Sequence, residues 1–168
     1  MTISTERAQF LANIANDEWV DCLPAGFAKA RFEALGAEWD KKRREFLANV
    51  SDAAELHLFA DLWNWDSGMD EMYRVIAAPI CERATALLVF WRASPDYYQG
   101  CQNADDLAEY ERDGFALIRA IEAKFMAGDF ADGSLRYDPN EMCDLSAVRA
   151  AASGAGWLIP TEMLEPIG

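Results

Sequence analysis

The chain has 168 residues, 52% of them apolar and 12% aromatic, enough to build the core of one domain. It carries 29 acidic against 15 basic side chains, a formal net charge of −14, which argues against direct binding to a phosphate backbone, since that draws on clustered Lys and Arg. The imbalance grows along the chain: residues 1–50 hold 8 acidic and 7 basic groups, residues 51–100 hold 8 and 3, and residues 101–168 hold 13 and 5.

Ser4 or Thr5 is placed to cap a first helix whose apolar face is Ala8, Leu11, Ile14 and Ala15. A short turn is expected over Asp17 to Leu23, ending at Pro24. After the Pro24-Ala25-Gly26 break, Ala28, Phe32, Leu35, Trp39 and Phe46 keep helical spacing to about Asn49, with Lys41-Lys42-Arg43-Arg44 read as a solvated face. Ser51 or Asp52 caps the next helix, where Leu56, Phe59, Ala60 and Trp63 recur at i, i+3, i+4 and i+7. Asn64-Trp65-Asp66-Ser67-Gly68 has turn chemistry, because Asn and Asp side chains accept from backbone amides two residues on and Gly tolerates positive φ. Met69 to Ala78 then forms a helix stopped by Pro79.

The run Ile80 to Arg92 fits a buried strand or a buried helix by periodicity alone. A helix is expected, since no second strand is available and an unpaired one would leave its backbone polar groups unsatisfied in the core. Ser94-Pro95-Asp96 starts a turn carrying Tyr97 and Tyr98. Beyond Asn103, the positions Leu107, Tyr110, Gly114, Leu117, Ile121 and Phe125 mark the inner face of a long helix ended by Gly128-Asp129, with Asp105, Asp106, Glu109 and Asp113 opposite. Asp138-Pro139-Asn140-Glu141 has the order of a helix start, followed by Met142, Leu145, Val148 and Ala152 and a stop at Gly154. The tail, from Trp157 to Leu164, is apolar enough to dock back. The sum is one all-α domain over residues 1–168, of about seven or eight packed helices.

The string Trp63-Asn64-Trp65-Asp66-Ser67-Gly68, followed by Pro79-Ile80-Cys81-Glu82-Arg83-Ala84-Thr85-Ala86-Leu87, resembles domain-of-unknown-function family 4274. The resemblance runs over Glu55 to Tyr98. In that family an Asn-Trp-Asp-x-Gly turn precedes a Pro-x-Cys-Asp-x-Gly-Thr-Ala-Leu stretch, and this chain departs from it at Glu82 and Ala84. The resemblance implies a small, mostly helical bacterial module and supplies no catalytic residues to carry over.

Chemistry read from the residues is sparse. His57 and Asp61 stand one helical turn apart and, with Asp66, are the candidates for a small hydrolase-like site, although a surface hydrogen bond accounts for the pair. Asp66, Asp70 and Glu71 lack calcium-loop spacing, and acids at a helix start are explained by capping and the helix dipole. Cys81 is read as a buried structural thiol. The cysteines Cys22, Cys81, Cys101 and Cys143 form no Cys-x-x-Cys pair, which suits reduced thiols in a cytoplasm. Met1 to Arg7 has no secretory character, and the longest apolar run, Ala84 to Trp91, is far short of the roughly 20 residues a membrane span needs.

The expected function is therefore binding rather than catalysis, with no metal and no cofactor: an immunity or antitoxin protein that neutralises a cationic bacterial toxin. A summed negative charge speeds association with a basic partner. The expected contact residues are the carboxylates Asp66, Asp70, Asp105, Asp106, Glu109, Glu111 and Asp113, with Trp65, Tyr97 and Tyr98 as exposed anchors. An acidic DNA-mimic inhibitor of a nucleic-acid-binding protein is the alternative within the binding class.

Overall fold

The computed structural model describes residues 3–24, 29–151 and 156–168. The expected break at Ala25-Gly26, the positions Ala28 and Ala152 and the expected stop at Gly154 lie outside them. The described residues form seven α-helices joined by short 3₁₀ turns, with two isolated β-bridges and no strand among them, so the fold is all-α. By its contacts the chain divides into two compact units, Met1–Val75 and Ile76–Gly168.

The first unit is built on α1 (Thr5–Asn16), α2 (Lys29–Asn49) and α3 (Ala53–Asp61), with α1 packed against both others. Ser4 caps α1 by accepting from the Arg7 N–H, and Asp52 caps α3 by accepting from the Ala54 N–H at 2.8 Å. Leu11, Ala12, Ile14 and Ala15 of α1 are buried, as is an aromatic file in which tilted ring pairs join Phe46 to Phe59 at 5.3 Å and Phe59 to Trp63 at 5.7 Å. Arg7 closes this core from outside, gripping Glu55 through two hydrogen bonds of 2.6 Å.

The basic run on α2 is not a uniformly wet face. Arg43 is buried, and its guanidinium donates to the Ile14 carbonyl at 2.5 Å, to Asp17 at 2.8 Å and to Asp40 at 3.1 Å, while lying over the Trp63 ring. The last carbonyls of α1 have no partner within their own helix, and Arg43 supplies one together with a positive charge at the negative end of the dipole. Lys41 and Arg44 are exposed, as expected for that face.

A 3₁₀ turn, Trp65–Ser67, follows α3, with Asn64 accepting from the Asp66 N–H and Gly68 at φ +95°. α4 (Asp70–Ala77) runs across the boundary between the two units and ends before Pro79.

In the second unit the ambiguous run is a helix, α5 (Arg83–Arg92), starting three residues later than Ile80 because Pro79 and Ile80 form a turn. Ala84 through Trp91 are all buried. Before α5, the chain pairs with the stretch that follows α6: the Ala131 N–H donates to the Cys81 carbonyl at 3.0 Å and the Arg83 N–H to the Ala131 carbonyl at 3.3 Å. Glu82 reaches further and accepts from the Leu135 N–H at 2.9 Å, lying where a Cβ on Gly133 would come within 1.8 Å of its carboxyl carbon.

α6 (Glu109–Ala127) packs on α5 through buried Phe115, Leu117, Ile118, Ile121 and Phe125, and Gly128 ends it in the left-handed conformation at φ +74°. The tail docks as expected: the Trp91 indole N–H donates to the Met163 carbonyl at 3.0 Å and the Trp157 indole N–H to Glu122 at 2.8 Å.

Three expectations are corrected here. Tyr110, placed on the inner face of α6, is 84% exposed, and the buried residues of that helix begin only at Gly114. Asp105 and Asp106 sit in a separate 3₁₀ turn, Ala104–Asp106, and not on α6. Asp138-Pro139 begins only a 3₁₀ turn, Pro139–Glu141, leaving Met142 exposed. The helix, α7 (Leu145–Ala151), starts at a second cap, where Asp144 accepts from both the N–H and the hydroxyl of Ser146.

Arg43 and Arg44 therefore make a controlled pair. Arg43→Met leaves the Ile14 carbonyl and Asp17 without their donor and is expected to cost about 2–4 kcal/mol, against less than about 0.5 kcal/mol for Arg44→Met. Urea unfolding followed by tryptophan fluorescence measures both, and equal midpoints for the two variants would refute the anchoring role.

Candidate protein-binding surface

The expected contact residues fall in both units. In the first, Asp66 and Asp70 are exposed, but Trp65 is half-buried and its indole nitrogen is fully enclosed without a hydrogen-bond partner. Trp65 is thus not the outward-facing anchor expected from the loop's composition. His57 and Asp61 are half-buried on α3, and Asp66 lies beyond Trp63 in the turn. Among the described residues no group of three His, Cys, Asp or Glu side chains is placed to hold a metal ion.

In the second unit the structure draws several residues into one cluster. The 3₁₀ turns Pro95–Tyr98 and Ala104–Asp106 both pack against α6. Glu111 is the third residue of α6, and one of its oxygens accepts from the Ala108 N–H at 2.9 Å, half of a capping box. Its other oxygen accepts the Tyr97 hydroxyl, and its backbone carbonyl accepts the Tyr98 hydroxyl at 3.2 Å. Asp106 caps the preceding 3₁₀ turn in a similar way, accepting from the Asn103 N–H at 3.2 Å.

Exposure sorts these side chains. Tyr97 is 65% exposed and Tyr110 84%, whereas Tyr98 is 8% exposed, covered by Phe115 at 5.4 Å and by Tyr97, which meets it edge-on at 5.1 Å. Tyr98 is therefore a core residue that holds Tyr97, and Tyr110 replaces it as the second exposed ring. Asp96, Asp105, Asp106, Glu109 and Asp113 are exposed around the two rings' elements.

The hydrogen bonds set the ionisation of the cluster. The Tyr97 hydroxyl, and then the Ala108 N–H, hold the Glu111 carboxyl below its ordinary range. The same bond to Glu111 pushes Tyr97 up, while Tyr98 is pushed up chiefly by burial and then by the Glu111 charge. The Tyr97–Glu111 bond thus persists between the ordinary carboxylate range and the ordinary phenol range, and is lost only outside it. Elsewhere in this unit, burial raises the Cys81 thiol to about 12, so it stays protonated and unreactive at neutral pH.

Residues 51–126 match the family described as a domain of unknown function (DUF4274). The match extends the expected Glu55–Tyr98 segment to take in α3 through α6. No curated protein and no solved structure matches the chain.

Two measurements check these assignments. In an alkaline titration followed by the NMR signals of labelled tyrosine, Tyr97 ionises above the ordinary value of about 10, and Glu111→Gln returns it toward that value; an unchanged Tyr97 curve in the variant would remove Glu111 as the cause. Alkylation of the native protein at mildly alkaline pH leaves Cys81 unmodified until the chain is unfolded, and rapid native labelling at Cys81 would contradict its burial.

Proposed function

We propose that this chain is a non-enzymatic protein-binding module of the bacterial cytoplasm, an immunity or antitoxin protein that neutralises a cationic toxin by direct binding. The observation that carries the reading is the exposure of Tyr97 in the Pro95–Tyr98 turn and of Tyr110 in the first turn of α6, among exposed carboxylates. Tyrosine offers a large, stiff contact area with a polar tip, which is why such rings serve as anchors in protein interfaces. The carboxylates around it select a basic surface and repel an acidic one.

Charge supports the same assignment on a longer scale. Residues 101–168 hold 13 acidic and 5 basic groups, so the field of this stretch draws in a positively charged partner before contact. Three described cysteines, Cys81, Cys101 and Cys143, are free thiols, in keeping with a reducing compartment. No helix among the described residues is long and apolar enough to cross a membrane.

Affinity capture followed by binding kinetics tests the proposal. The captured partner is expected to be basic, to lose its toxicity when the two are co-expressed, and to associate about tenfold or more slowly when salt is raised from low to physiological strength. An association rate indifferent to salt, or a partner without a basic face, would overturn the acidic-steering reading.

A further inference from the structure

We draw no further inference here: the strongest candidate, the cavity of about 120 Å³ at the start of α5 lined by Glu82, Arg83, Asp132 and Gly133, carries none, because among the described residues only a helix start and two carboxylates point to a ligand there, and Glu82 is already engaged by the Leu135 N–H while the Arg83 guanidinium lies over the Phe125 ring.

Discussion

Helix α5 is buried around its whole circumference from Ala84 to Trp91, and this constraint organises residues 76–168. Such a helix satisfies its interior backbone groups by itself, but its ends and its few polar side chains must find partners elsewhere. At its start the solution is the segment after α6, where Ala131 pairs with Cys81 and Arg83, and Glu82 takes the Leu135 N–H. At its end Ser94 adopts the left-handed conformation at φ +56°, which lets the chain turn at once into Pro95–Tyr98. The Trp91 indole N–H, enclosed with the rest of the helix, takes the Met163 carbonyl and so requires the tail to return. The cover of α5 thus dictates where the two 3₁₀ turns flanking the tyrosine cluster are laid.

Much of this was legible in the residues because it depended on local chemistry. Ser4, Asp52 and Asn64 are caps that announce themselves, Gly128 is a stop, and the apolar spacing of α1 and α3 and the unbroken apolar run of α5 name their buried side chains. What was hidden depended on cover rather than periodicity. Tyr110 keeps the spacing of the inner face, but spacing gives an angular position and not whether that turn of the helix has a neighbour. Arg43 follows two lysines and looks solvated until α1 ends beside it with unpaired carbonyls. Asp138 and Asp144 are both sound caps, and only the structure shows that the helix starts at the second. The contact of Glu82 with Leu135 spans 53 positions and leaves no local trace.

The departures from the family's sequence pattern gain a physical meaning in the same place. Glu82 stands where the pattern has Asp, and its extra methylene carries the carboxylate to the Leu135 N–H across a Gly133 with no side chain to obstruct it. Leu135 lies beyond the matched residues 51–126, so this longer acid fastens the matched segment to chain outside it. Ala84, in place of Gly, adds a methyl that is buried with the rest of α5.

The cluster at the start of α6 shows why structural and functional readings of an acidic residue need not compete. Glu111 caps the helix with one oxygen and binds Tyr97 with the other, so the hydrogen bonds that begin α6 also set the attitude of an exposed ring. The carboxylates that remain in water, Asp105, Glu109 and Asp113, are exposed, and charges of this kind contribute little to affinity while raising the rate of encounter. On the proposed binding reading, affinity comes from groups that lose their water on contact, and the exposed rings of Tyr97 and Tyr110 are the large groups available for that. For the proposed basic partner the charges therefore govern how fast it arrives, and exposed rings such as Tyr97, held by Glu111, govern how long it stays.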